Sequence, residues 1–383
     1  MADLIERVRA LVPALRANAT RCTAEHRVPL ENLEALRETG LYRAGLPLHA
    51  GGTACDLRTK FDALVEVARG CGSTAWVSAI YTDVGFLLTK FPDDVQDEVY
   101  ADPDAFHCGT LALPGRAVAV DGGYLVSGRW PFNSGCLDAS FLVQPALVEG
   151  GELTHFVFPR GALTIEDDWH VSGLEGTGSH SVSGQDVFVA DRCAIPTARL
   201  LDQEHRSARN ADSSYHRHPP ITYLLTSAVA PFVGMAEHAY EFYLERLPDR
   251  GQVAYTGYSH HRDAAITHLH VAEARMKIDS ARLLAERACS LLDERVAAGA
   301  VSGPEVLAEV WGLTVYASKL STEAVELLRL ASGASGIATR FPLHQVSRDI
   351  NALATHALMV PSTGMEHYGR SLCGVEPTTM LLR

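Results

Sequence analysis

Between residues 124 and 196, small hydroxyl side chains, glycines and tryptophans gather in a pattern suited to a flat ring. One run reads Trp130, Pro131, Phe132, Asn133, Ser134, Gly135; a later one carries Trp169, then Gly173, Leu174, Glu175, Gly176, Thr177, Gly178 and Ser179. Serine and threonine hydroxyls both donate and accept hydrogen bonds. Glycines let backbone approach a ligand closely, and indoles pack on planar apolar surfaces. Together these suit a polar-edged ring system, which points to a flavin. Trp130 and Phe132 would wall the ring, although aromatics in strands also serve as plain core. Gly135, Thr177 and Ser179 would offer backbone and hydroxyl contacts from loops; as bare sequence the 173–179 stretch is a turn, and Ser134 can be a turn serine bonding its own backbone.

Other chemistries lack their residues. Eight cysteines are scattered through the 383 residues and never form Cys-x-x-Cys, so free thiols are expected in a reducing cytoplasm and no metal site. No Gly-x-Gly-x-x-Gly follows a strand, so the chain is not expected to bind NAD(P)H itself. A formal charge of −13 argues against nucleic acid or an anionic membrane surface. No apolar run approaches about 18 residues, the length of a spanning helix. The start, Met1, Ala2, Asp3, Leu4, has no basic stretch leading into an apolar one, so no secretory signal is expected.

The elements that must position this island are helical on both sides. Leu4, Val8, Leu11 and Leu15, then Leu30, Leu33, Leu36 and Leu41, recur at helical spacing, with Pro29 as a first-turn residue. A third helix is expected over 57–67. A fourth, over 74–89, is apolar almost all round and must be buried on most sides; its polar residues Ser78, Tyr81, Thr82 and Asp83 must face something that satisfies them. From 106 to 196 the period is two, with strands at 116–120, 124–127, 141–144 and 154–158 and a hairpin turn at Asp121, Gly122, Gly123. Residues 201–222 read as a polar, His-rich loop. Helical spacing returns over 228–247, 262–295, 304–330 and 348–359, which suggests a four-helix bundle.

This order resembles the acyl-CoA dehydrogenase fold: α+β, with an N-terminal helical domain (1–105), a central β-domain (106–205) and a C-terminal four-helix bundle (206–383). Residues 46–52, the helix 272–282 and the pair Arg348, Asp349, taken as opening the last catalytic helix, carry the likeness. Within that superfamily, residues 70–76, 128–135 and 173–179 look like the two-component flavin-dependent monooxygenases of the 4-hydroxyphenylacetate hydroxylase type. A dehydrogenase of the common type would show a carboxylate base after the Arg-Asp pair; here residues 354–358 contain none, and His356 matches the histidine of the monooxygenases.

The resemblance implies several roles. His356 would donate to a flavin peroxide or take a proton from a phenol, though it can instead be a helix-end residue capping a carbonyl. Ser134 would sit by flavin N5 and prolong the C4a-hydroperoxide in a dry cavity. His107 and Thr110 would lie beside substrate and flavin. The buried helix lacks the histidine that the oxygenases often present there, leaving Tyr81 and Asp83 as substrate contacts, with Asp83 alternatively a surface charge. Arg250, Tyr255, His261 and Arg262 fall near the family's phosphate element without its pattern, and 333–336 resembles a turn that reaches a neighbouring subunit's cofactor, so FMNH2 or FADH2 stays open. The implied reaction uses reduced flavin from an NAD(P)H:flavin reductase, with O2, to hydroxylate a small aromatic, phenolic or polyketide-type molecule. The alternatives are N-oxygenation of an amine or amino sugar and dehydrogenation of an acyl thioester. A homotetramer or homodimer is expected.

Overall fold

The computed structural model describes residues 2–53, 55–111, 114–204, 207–210 and 213–378. Five helices come first: α1 (Ala2–Ala24), α2 (Leu30–Thr39), α3 (Leu57–Gly70), α4 (Gly72–Leu88) and α5 (Asp93–Val99). Asp56 caps α3 by accepting from the Thr59 N–H at 2.6 Å, satisfying one of the helix's unpaired donors. Pro29 stands immediately before α2 rather than within its first turn. Every residue of α4 except Ile80 is buried, between α3, α7, α10 and the first strand. Each large apolar side chain enclosed there contributes about 1.5–3 kcal/mol relative to exposure. The short α5 had no signal in the apolar spacing.

Eight strands follow: β1 (Phe106–Gly109), β2 (Gly115–Val120), β3 (Gly123–Trp130), β4 (Ala139–Val148), β5 (Leu153–Pro159), β6 (Thr164–Ile165), β7 (Val182–Ala190) and β8 (Ala194–Pro196). They form one sheet in the order β6-β7-β3-β2-β4-β5-β8, with β1 pairing parallel to the start of β4. Asp121 and Gly122 join β2 to β3 in register, so Val118 opposes Leu125. The expected strands all lie within these elements.

The second helical set comprises α6 (Thr197–Leu200), α7 (Pro220–Arg246), α8 (Ala265–Ala297), α9 (Pro304–Ala331), α10 (Pro342–Leu353) and α11 (Pro361–Leu372). A proline starts α7, α9, α10 and α11, where its fixed φ and missing N–H cost nothing. Several expectations need correction. Helix α7 begins at Pro220, eight residues before the expected start, because Pro219 and Pro220 open it and Pro231 is accommodated inside. The loop expected over 201–222 lies partly outside the described residues; its described part is not a free linker, since Tyr215, His216 and His218 are buried. The expected 348–359 helix is instead α10, ending at Leu353, then a turn, then α11. Arg348 and Asp349 thus lie in the second half of α10 and do not open it.

No helix among the described residues is long and apolar enough to cross a membrane. All eight cysteines are free.

Candidate active site

Helix α4 meets the segment that connects β3 to β4 through Trp76 and Tyr81, while Ser78 bonds Tyr42 and Thr82 bonds carbonyls of its own helix. Tyr81 donates its hydroxyl to the Gly135 carbonyl at 2.8 Å, and its ring stacks on Phe106 of β1 at 4.5 Å and 9°. Gly135 has φ +77. A Cβ there would stand 2.6 Å from the Tyr81 ring, so only glycine fits. Five residues before Tyr81, Trp76 donates Nε1–H to Ser134 Oγ at 3.0 Å.

Ser134 continues into a chain of hydroxyls. Its Oγ is 2.7 Å from Ser179 Oγ, which is 2.6 Å from Thr177 Oγ1. Thr177 Oγ1 donates to the Leu174 carbonyl at 2.8 Å. All three hydroxyl residues are buried. The two Gly-containing runs therefore form one unit, tied also by the bond from Gly135 N–H to the Thr177 carbonyl at 3.0 Å.

His356 reaches the unit from the turn after α10. Its ring meets Trp76 edge-on, centroids 4.9 Å apart at 65°. On the far side of that turn Trp311 of α9 donates to the Leu358 carbonyl at 2.8 Å, which fixes where the imidazole sits. His356 Nδ1 is buried without a hydrogen-bond partner. Burial pushes its pKa down to about 4, so the ring is neutral at neutral pH.

The remaining expected residues divide. Phe132 has φ +63, is exposed and meets Trp169 edge-on at 6.2 Å; these two aromatics rim the loop. Trp130 supplies no wall. It is fully buried in the sheet, tilted against Phe158, with Nε1–H bonded to the Pro145 carbonyl at 2.7 Å. Strand alternation sends Phe106 toward α4 and His107 the other way, between Tyr100 and Phe141; burial pushes its pKa down to about 4. Thr110 follows β1, its N–H on the Val143 carbonyl. Asp83 is neither a surface charge nor an open pocket group. It accepts from Lys60 Nζ at 3.1 Å and Ser227 Oγ at 2.7 Å, deep between α3, α4 and α7. Burial raises its pKa to about 6, opposed by Lys60.

Sequence reasoning missed Trp76 as a site residue, reading it as one apolar position of a buried helix. The signal available was its place at the end of the 70–76 run. It also missed Asp349 and Glu175. Asp349 accepts from Leu174 N–H at 2.7 Å, and Glu175 pairs with Arg348 through one oxygen, its other oxygen being buried without a hydrogen-bond partner; neither carboxylate is hydrogen-bonded to His356.

The donor set fits a flavin. The Leu174 carbonyl can only accept, so Thr177 is the donor in the bond between them; with the Thr177 hydrogen placed there, Ser179 donates to Thr177 and Ser134 to Ser179. Ser134 also accepts from Trp76. One lone pair of Ser134 is left, suited to an N–H such as N5–H of a reduced isoalloxazine. Further off, Arg246 and Arg340 flank the Phe341 ring at 3.8 and 4.7 Å. Burial, then Arg250 and Arg340, push the Arg246 pKa down; among the described residues these three have no carboxylate partner. A separate cavity of about 350 Å3, lined by Arg9, Arg58, Asp62, Glu66 and Arg282 among others, is laced with ion pairs and shares no residue with the Ser134 unit.

Comparison with known proteins places the chain in a family. Residues 2–103 match the acyl-CoA dehydrogenase N-terminal domain and residues 226–361 the acyl-CoA dehydrogenase C-terminal domain. The chain is 32% identical to the flavin-dependent monooxygenase oxygenase subunit HsaA of Rhodococcus jostii (strain RHA1), over 99% of this chain and 100% of that one. It is 30% identical to the FADH(2)-dependent resorcinol hydroxylase, oxygenase component, of Rhizobium sp. (strain MTP-10005), over 98% and 95%. Among solved structures, XiaF from Streptomyces sp. in complex with FADH2 and glycerol superimposes with a TM-score of 0.94 at 28% identity, covering 99% of this chain and 96% of that one.

Proposed function

The chain belongs to the oxygenase components of flavin-dependent monooxygenases, built on the acyl-CoA dehydrogenase fold, and on that premise we propose that it hydroxylates a small phenolic substrate using O2 and reduced flavin from a separate NAD(P)H:flavin reductase. The flavin, when bound, supplies the electrons that activate dioxygen. The observation that carries the reading is the Trp76, Ser134, His356 arrangement: an acceptor oxygen and an imidazole with an unpartnered nitrogen, both in contact with one indole.

In this reading Ser134 Oγ would accept from an N–H of the bound flavin, such as N5–H, and hold that proton in place. His356, neutral before substrate binds, takes the phenol's proton or fixes its hydroxyl through the free Nδ1. Tyr81 keeps Gly135 backed against α4, and Phe132 and Trp169 cover the ring's outer edge against water. The arginines at 246, 250 and 340 supply unpaired positive charge for a flavin phosphate.

An acid facing the pocket would suit an amine; Asp83, the acid expected there, is instead bound by Lys60 and Ser227. For the dehydrogenase reading, neither Asp349 nor Glu175 is hydrogen-bonded to His356. A self-associating chain is supported by an exposed apolar stripe on α8, Ile266, Leu269, Met276 and Leu283, which a second copy would cover; a cytoplasmic setting is supported by the eight free thiols.

The test is to mix protein with photoreduced FMN or FAD, admit air, and assay panels of phenols and amines by mass spectrometry. A product heavier by one oxygen atom from phenols, at higher yield per flavin than without protein, is expected. N-oxygenated amines, or no product with hydrogen peroxide released in full, would overturn the reading.

A further inference from the structure

The hydroxyl chain ends on Leu174, and Leu174 is held by a residue outside the loop. It has φ +55, a left-handed conformation that a leucine keeps only when its surroundings impose it. Its N–H is bonded to Asp349 Oδ1 at 2.7 Å. Its carbonyl receives three donors: Thr177 Oγ1 at 2.8 Å, the Thr177 N–H at 3.0 Å and Trp169 Nε1 at 3.1 Å. Next to it, Gly173 lies so close to α10 that a Cβ would stand 2.4 Å from the Arg348 carbonyl. Arg348 pairs with Glu175. The loop is thus clamped onto the helix whose end carries His356.

We propose that Asp349 is a positioning residue for Ser134: by holding the Leu174 peptide it sets the direction of the hydroxyl chain and leaves Ser134 Oγ as an acceptor with no hydrogen to give. A carbonyl cannot donate, so the direction is decided at Leu174 and passes through Thr177 and Ser179 one hydrogen at a time. The catalytic consequence rests on the reading of Ser134 given above; the hydrogen-bond geometry does not. Asp349 is 2% exposed. The ionisable groups around it are Cys22 of α1, Cys71 before α4, Glu175 of the loop and Arg348 of its own helix. Burial pushes its carboxyl up to about 8, so it is protonated at neutral pH and asparagine reproduces the oxygen that Leu174 uses.

The experiment reads the indole N–H resonances of 15N-tryptophan-labelled protein without flavin. Trp76 reports Ser134 and Trp169 reports the Leu174 carbonyl, while Trp130, bonded to Pro145 within the sheet, is the control. Asp349→Asn is expected to keep both reporters in place. Asp349→Leu is expected to displace Trp76 and Trp169 and leave Trp130. Should Asp349→Leu fail to fold, Thr177→Val decides: it is expected to displace Trp76 with Asp349 intact. Either variant folding with an unmoved Trp76 resonance overturns the proposal. In turnover, Asp349→Leu is expected to lower product per flavin severalfold, toward Ser134→Ala, with Asp349→Asn restoring it. If Ser134→Ala itself keeps full product yield, the role of Ser134 fails while the indole shifts still judge Asp349.

Discussion

Trp76 donates its indole hydrogen to Ser134 Oγ at 3.0 Å, and the same ring lies edge-on against His356. Serine and histidine, 222 positions apart in the chain, are therefore coordinated by one side chain from a third element, helix α4. Several consequences can be measured.

Removing the indole hydrogen while keeping an aromatic ring separates positioning from packing. Trp76→Phe is expected to fold and to bind reduced flavin, but to release more hydrogen peroxide and less product, by roughly a factor of 5, the equivalent of about 1 kcal/mol. Ser134→Ala also strands the buried Trp76 N–H, so its loss is expected to be larger, about tenfold to a hundredfold. Product and peroxide per reduced flavin, measured side by side, check both.

His356 is already neutral well above its pKa of about 4. The pH profile of kcat/KM is therefore expected to show no inflection near 6.5 from this residue, only a fall below about pH 5 as the ring protonates. His356→Ala is expected to cut turnover about a hundredfold while leaving reduced-flavin affinity nearly unchanged. An inflection near 6.5 that disappears in the variant would contradict the buried-imidazole account.

Asp83 is expected to matter for stability and not for substrate. Asp83→Ala leaves Lys60 buried without its partner, which costs about 3–5 kcal/mol. Replacing both, Lys60→Met with Asp83→Leu, is expected to recover much of that loss. Urea unfolding measures it; an unchanged ratio of product to peroxide in the folded double variant completes the test.

Acid should destabilise the fold through buried imidazoles. His107 and His155 have pKa values pushed down to about 4 by burial, against about 6.5 when unfolded. The unfolded chain takes up their protons first, so stability is full above about pH 6.5 and falls as pH drops toward 4. Each contributes a loss of about 2 kcal/mol by pH 5. His107→Phe is expected to flatten part of this dependence, read from urea midpoints at pH 7 and pH 5.

Gly135→Ala is expected to unsettle the site from beneath. The new methyl would strike the Tyr81 ring at a backbone angle unfavourable to alanine. A stability loss of about 1–3 kcal/mol and a rise in peroxide release are expected, by calorimetry and the same product assay.

Much of the architecture could be read from periodicity. The apolar spacing of α1 through α4, the alternation of β2 to β5 and the proline opening α9 are local signals, and local signals survive in a sequence. Reading failed where tertiary contact overrode them. Pro219 and Pro220 looked like part of a loop yet start α7, and the helix expected through residue 359 breaks at Leu353 because Trp311, from another helix, holds the turn that follows. Trp130 and Trp76 illustrate the same limit. Both are tryptophans among apolar neighbours, but one spends its N–H on a sheet carbonyl and the other on Ser134.

By itself the amino-acid sequence determined the kinds of group available: hydroxyls and glycines in two runs, and a histidine at 356 in a stretch, 354–358, that holds no carboxylate. Only the folded chain decided which of them meet. Direction along the hydroxyl line, the open lone pair on Ser134 and the seclusion of Asp83 depend on contacts between residues far apart in sequence, and a hydrogen bond's partner is chosen by distance in space rather than by spacing along the chain.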